Sequence, residues 1–272
     1  MHPIERLRYV ARSSGADPAL VVRETASALA GLGLDPAGLV TACRRIVERH
    51  PTSGPLWWLC ARTLTATEPL AEAWRCVEAI ECDTTVDELT MALPDDSTVC
   101  VVGWPDLVAQ ALARRGDVLV LAVDVADRGL YEHHGGLARR LRRADVEVED
   151  VPVGGLGAAA ASADLVLLEA EAIGPDAFVA PSSSLAAAAV AYCAEVPVWL
   201  VGGVGRLLPL PLWRSVVSRL EAAGRWWELD HDVASLALVS ALCGPAGPEA
   251  VADGLAHIDC PVAPELLRAS PF

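Results

Sequence analysis

ADLVLLEAEAIGPDAFVAPSSSLAAAAVAYCAEVPVWLVGGVGRLLP, residues 163–209, decides the fold. Residues 165–168 and 196–201 are short apolar runs rich in Leu and Val, and residues 185–194 between them are alanine-rich and predict a helix. Apolar runs of this length, without alternation, predict strands buried on both faces. A helix joining two of them predicts a parallel crossover. Glu169 and Glu171 fall in an acidic turn after the first strand, and residues 178–180 are read as extended. Ser182, Ser183 and Ser184 precede the helix, and Gly202-Gly203 closes the second strand. In open α/β sheets ligands bind beyond the carboxyl ends of the strands, so these residues are expected to line any pocket.

Toward the C-terminus, residues 211–223 form an amphipathic helix with Pro211 in its first turn. Residues 226–229 read as strand-like, and 233–243 and 248–257 as helices. Toward the N-terminus the pattern predicts strands at 98–102, 118–123 and 146–151 and helices at 107–115 and 136–143. The turn Gly103-Trp104-Pro105-Asp106 follows the first of these strands, and a loop with Asp124, Asp127, His133 and His134 follows the second. Residues 1–90 read as helical, with segments at 3–12, 18–32, 37–49, 56–64 and 69–80. Asp17-Pro18 and Asp35-Pro36 each place a cap before a first-turn proline. Trp57, Trp58 and Trp74 are expected in the core, with a subunit interface as the alternative. The organisation expected is a helical N-terminal domain, 1–90, followed by an α/β domain, 91–272, with a Rossmann-like, mostly parallel, doubly wound sheet.

The formal net charge of −15 excludes nucleic-acid backbones and anionic membrane surfaces as natural partners. The chain has no lysine, no asparagine and a single glutamine, Gln110, which excludes Schiff-base chemistry and a phosphate-loop lysine. The 8 cysteines show no C-x-x-C and lie mostly among apolar residues, so they read as structural thiols. Residues 1–12 are charged and amphipathic, unlike a secretory signal, and the longest apolar run is too short to span a bilayer. A cytoplasmic protein without cofactor or metal is expected.

Each candidate site carries two readings. Glu169 and Glu171 are either a carboxylate pair holding a cation or sharing a proton, or a solvated turn that caps a helix. The three serines are an anion site at a helix start or a plain N-cap. Gly202-Gly203-Val204-Gly205, with Arg206 beside it, is a phosphate cradle or a tight strand exit. Asp124, Asp127, His133 and His134 resemble a metal cluster only superficially, because adjacent histidines rarely face one ion. Trp104 either fills the space of a substrate or stands at its rim.

Over nearly the whole chain the landmarks resemble, in order, the regulatory (alpha, beta, delta) subunits of translation initiation factor 2B, a family that includes methylthioribose-1-phosphate isomerase and ribose-1,5-bisphosphate isomerase. His50-Pro51-Thr52-Ser53 is similar to the family's Arg-Pro-Thr-Ser. Residues 98–103 match its strand entering the first catalytic turn, and Glu169-Ala170-Glu171-Ala172-Ile173 matches Gly-Ala-Asp-x-Ile. Ala180-Pro181-Ser182-Ser183-Ser184 occupies the place of Asn-Lys-Ile-Gly-Thr, and residues 258–266 resemble the closing Phe-Asp-Val-Thr-Pro-Pro-Glu-Leu. The resemblance implies a helical front on a Rossmann-like domain, pairing through the latter into a homodimer. It also implies a phosphorylated ligand, a sugar phosphate or nucleotide, held near His50, Gly103, Trp104, Asp124, Glu169, the serines, Gly202, Gly203 and Arg206. The departures imply a regulatory or scaffold protein that has lost catalysis. The isomerases' cysteine falls on or beside Gly103, and their asparagine and lysine fall on Ala180 and Pro181. Their aspartate is Glu171, the one residue available as acid/base if the chain is a sugar-phosphate isomerase with an altered site. A structural dimer without ligand, docking a protein partner, is the third reading.

Overall fold

The computed structural model describes residues 18–31, 35–123 and 136–267. The helix expected at 3–12, the Asp17 cap, and Asp124, Asp127, His133 and His134 lie outside them. Five helices come first: α1 (Pro18–Gly31), α2 (Pro36–Arg49), α3 (Gly54–Thr65), α4 (Pro69–Glu81) and α5 (Thr85–Ala92). Proline stands in the first turn of α2, α3 and α4, where its missing N–H costs no helical bond. Asp35 caps α2 as expected, its carboxylate accepting from Gly38 N at 2.7 Å.

The α/β part follows: β1 (Thr98–Val102), α6 (Asp106–Leu112), β2 (Leu119–Val123), α7 (Leu137–Arg142), β3 (Glu147–Val151), α8 (Leu156–Ser162), β4 (Leu165–Glu169), β5 (Ala172–Ile173), β6 (Ala177–Pro181), α9 (Ser184–Cys193), β7 (Val198–Val201), α10 (Leu210–Ala223), β8 (His231–Ser235), β9 (Ala241–Gly244), β10 (Gly247–Glu249) and α11 (Val251–Leu255). Seven strands form one sheet in the order β10-β9-β7-β4-β1-β2-β3. All neighbours are parallel except the β10–β9 pair at the edge. β4 is buried along its whole length, as its unbroken apolar run requires. Strand order reverses between β1 and β4, so the crevice of this sheet opens at their carboxyl ends.

Four sequence expectations are corrected. Residues 233–243 are two strands, β8 and β9, joined by a 3-10 turn at Leu236–Leu238. Their apolar spacing suits a helix, but backbone pairing to β6 and β7 wins. Pro248 lies in β10, so the last helix shrinks to Val251–Leu255. Residues 226–228 form a 3-10 turn instead of a strand. Trp57 and Trp58 are buried, whereas Trp74 is 44% exposed on α4.

A second sheet, β5-β6-β8, is antiparallel and was not legible as such. It ties the front helices to the rest: Ala172, Val179, Leu208, Leu212 and Trp213 share one hydrophobic core with Trp57, Trp58 and Leu59. The tail also joins this core. Asp259 accepts from the Trp58 indole at 2.9 Å and pairs with Arg62 at 2.8 Å, and the Leu266 side chain is fully buried. Among the described residues no helix is long and apolar enough to cross a membrane.

Candidate functional site

The residue ending β4 sets up the site. Alternation along β4 sends Leu165, Leu167 and Glu169 to the sheet face covered by α5, α6 and α7, and Val166 and Leu168 to the face of α8 and α9. Glu169 is therefore not in a solvated turn. It is 8% exposed, and its carboxylate accepts from the backbone N–H of Leu107 at 2.8 Å and of Val108 at 3.1 Å. Its other oxygen meets the Arg206 guanidinium at 2.8 Å, with both side chains 7% exposed. Arg206 also donates to the carbonyl of Ala170. Both charges of this pair are thus satisfied internally, as burial demands.

The glycine turn is filled in a similar way. Asp83, between α4 and α5, accepts from Val204 N at 2.8 Å with one oxygen and from the Thr85 N–H and hydroxyl with the other. A Cβ on Gly203 would stand 2.3 Å from the Asp83 oxygen that accepts from Val204 N, so this close approach suits glycine there. At the start of α9, the N–H of Leu185 is taken by Asp232 of β8 at 3.0 Å. The serine-cap reading is not what forms. Ser183 sits at φ 77° with no side-chain cap bond, Ser182 pairs through its N–H with the carbonyl of Asp230, and the buried Ser184 hydroxyl has no hydrogen-bond partner.

Glu171 lies two residues past Glu169 but on the other side, facing the front helices. Its backbone N–H donates to Val179 and its carbonyl accepts from Gly54 N at 2.9 Å. Its carboxylate meets His231 Nε2 at 2.8 Å and accepts from Thr52. Burial pushes the Glu171 carboxyl up, but the bonds from His231 and Thr52 and the charges of His231 and Arg206 outweigh it and hold the pKa below the usual value. Burial lowers His231, yet the bond and charge of Glu171, with Asp230 and Asp232 nearby, raise it overall. The side chains remain 34% and 28% exposed, so the pair is reachable from solvent. Trp57 steadies the adjoining segment, its indole donating to Pro51 O at 2.9 Å.

Gly103 adopts φ 74° after β1 and lines a cavity of about 140 Å³ with Val123, Gly136, Arg139, Arg142 and Asp150. Arg142 is paired with Asp150 at 2.5 Å, and Arg140 reaches Asp106 at 3.3 Å. Trp104 is half-buried beside Gly103. Cys100, the thiol nearest in sequence to that turn, lies inside β1 with burial pushing its pKa up to about 12. His50 adjoins Thr52 in the segment before α3, and Gly202 donates its N–H to Cys243 O at 2.9 Å. Among the described residues, no group of three or more His, Cys, Asp or Glu side chains could hold a metal ion.

Of the expected site residues, the fold gathers Glu169 with Arg206, and places Gly203 against Asp83. Glu171 belongs to a second cluster with His231 and Thr52. The sequence reading missed Asp83, His231 and Asp232. Each of them bonds a segment at least 40 residues away, and only Asp83 also carries a local signal, accepting from Thr85 two residues on.

The architecture is that of a helical front joined to a Rossmann-like sheet, with internal carboxylates at the sheet's carboxyl-end cleft. Solved structures with this fold include those of translation initiation factor 2B. A Pyrococcus horikoshii OT3 translation initiation factor eIF-2B superposes with TM-score 0.74 at 15% identity, covering 93% of this chain and 98% of that one. The eIF2B beta subunit of Chaetomium thermophilum gives TM-score 0.72 at 13% identity, covering 97% and 92%. A chain of the tetrameric eIF2B-beta2-delta2 complex from C. thermophilum gives 0.71 at 15%, covering 93% and 91%. At these identities the likeness is one of fold. No protein-family model and no curated protein matches the chain.

Proposed function

We propose that this chain is a non-catalytic protein of the initiation factor 2B type, a regulatory or scaffold subunit that works through contacts with other chains. The observation that carries this reading is the internal use of the cleft's polar groups. Glu169 takes the Leu107 and Val108 N–H groups and Arg206, Asp83 takes Val204 N, and Asp232 takes Leu185 N. A phosphate needs charge-assisted donors, and here each of those donors is held by a carboxylate that would also repel it. The acid/base pair of the isomerases lacks its thiol, since Gly103 stands in that turn and Cys100 is buried in β1.

The second reading, an aldose–ketose isomerase, is favoured by the Glu171–His231 pair, a carboxylate and an imidazole in hydrogen-bond contact and open to solvent. The two readings separate in one assay. Purified protein is incubated with ribose-1,5-bisphosphate or methylthioribose-1-phosphate and the product is followed by NMR. The expected result is no turnover. Turnover that disappears in Glu171→Gln would overturn the non-catalytic reading. Thermal shift with millimolar sugar phosphates and nucleotides is expected to leave the midpoint unmoved. A ligand at about 100 times its Kd would add roughly 2.7 kcal/mol and be plainly visible.

A further inference from the structure

We propose that the groove between α2, α3 and α10 recognises an extended, acidic, proline-containing segment of a partner protein, and that the chain's own residues 258–267 fill it as a displaceable strap. The inference rests on the scaffold reading above and names the chemistry of its partner. In a chain of net charge −15, arginines from three helices converge on this one segment. Arg62 of α3 pairs with Asp259 at 2.8 Å, Arg44 of α2 donates to Glu265 O at 2.6 Å, and Arg219 of α10 donates to Leu266 O at 3.3 Å. Two of these cations lie over indole rings, Arg62 over Trp58 at 5.2 Å and Arg219 over Trp57 at 4.7 Å. The Trp58 indole adds its own bond to Asp259.

Burial within the segment recurs at every third residue, Cys260, Ala263 and Leu266, while Ile258, Val262 and Leu267 stay exposed. Three residues per turn is the period of polyproline II and of a 3-10 turn. Pro261 and Pro264 stand at the P-x-x-P spacing, the arrangement that docks into aromatic-lined grooves. The strap is thus held in the manner of a bound peptide.

Among the described residues, no backbone–backbone hydrogen bond joins 258–267 to another element. The walls of the groove are anchored independently, Trp57 on Pro51 O and Arg62 on Glu72 at 2.6 Å. A segment clamped only by side chains, against walls that stand without it, opens locally well below the cost of global unfolding. The clamp reads one carboxylate, two main-chain carbonyls and small or apolar side chains at a spacing of three, all of which another chain can present. The converging cations fix the sign of the occupant, since a basic segment would be repelled where an acidic one is held.

The test uses the full chain and a fluorescein-tagged peptide of residues 256–267, AHIDCPVAPELL, kept reduced. Maleimide labelling followed by mass spectrometry should modify Cys260 at least about tenfold faster than Cys43 and Cys60, which are fully buried and report opening of the core itself. Asp259→Ala in the chain removes both bonds of that carboxylate, at a side chain 52% exposed, and leaves the groove untouched. It should speed Cys260 labelling about tenfold, the lower end for a hydrogen bond to a charged group, without changing Cys43 or Cys60. Because the strap competes with the peptide, the same substitution should tighten peptide binding, read by fluorescence anisotropy, by the same factor. A peptide carrying Asp259→Ala should bind about tenfold more weakly than the native one. Cys260 labelling no faster than that of Cys43, no peptide binding to the Asp259→Ala chain, or equal binding of the two peptides would each overturn the proposal. So would a change in sedimenting mass between wild type and Asp259→Ala, which would give the groove to the tail of a second copy. A failed peptide titration without sugar-phosphate turnover rejects the groove alone, whereas turnover rejects the non-catalytic reading on which it rests.

Discussion

Arg206→Met removes the cation from beneath Glu169 while keeping most of the volume of its side chain. In the native protein the two charges meet at 2.8 Å with each side chain 7% exposed. Glu169 retains its bonds from Leu107 and Val108 after the substitution, so it stays partly satisfied. Ala170 O loses the Arg206 donor as well. Breaking a buried pair by removing one partner costs about 3–5 kcal/mol, and the two remaining N–H donors put this case near 3 kcal/mol. At about 2–4 °C per kcal/mol for a chain of this size range, the thermal midpoint should fall by about 6–12 °C. The measurement is thermal unfolding by circular dichroism at pH 7, repeated with Glu169→Leu and with the double variant. The double variant should be less damaged than the sum of the singles by roughly 1–3 kcal/mol, because it strands neither charge. Arg206→Met within about 0.5 kcal/mol of wild type, the usual span of surface changes, would refute the assignment of Arg206 as a structural counter-ion.

Two further outcomes follow from the neighbouring cluster. The pKa of His231 is raised in the fold above its ordinary 6.5, so its pairing with Glu171 stabilises fully below that pH and is lost as pH rises through the folded value. Glu171 is lowered, so its share is present above about 4.5 and lost as pH falls through its folded value. The stability difference between wild type and His231→Gln should therefore shrink as pH rises above 6.5, and a difference that is flat from pH 6 to pH 9 would contradict the pair. Gly54→Ala would place a Cβ 2.7 Å from Glu171 O and 3.0 Å from Arg206 Cα, both backbone atoms. Overpacking of this kind costs about 1–3 kcal/mol, which urea unfolding would register as a lower midpoint at unchanged slope.

Parts of the fold were readable because the physics is local. Residues 165–168 and 98–102 are apolar without alternation, and a chain segment of that kind is stable only between two covered faces. Asp35-Pro36 marks a helix start by satisfying an orphan N–H within three residues. The misread stretch, 233–243, fails for the opposite reason. Val233, Ala234, Leu236 and Leu242 fit helical spacing about as well as strand spacing, and the choice lies with β6 and β7, which supply the hydrogen bonds. The phosphate reading of Arg206 was open because a glycine turn with a neighbouring arginine can face either way. Which way it faces depends on Glu169, 37 residues earlier.

By itself the sequence determined the helical front, the buried central strands, the acidic net charge and the absence of lysine chemistry. Composition and short-range periodicity encode these directly. The tertiary structure alone decided what the polar groups of the cleft do. Carboxylates from separate segments, Asp83, Glu169 and Asp232, each reach a backbone N–H far along the chain. His231 likewise meets Glu171 across 60 residues. A hydrogen bond is specified by position within a few tenths of an ångström, and only the packed fold sets positions that finely for residues so distant in sequence.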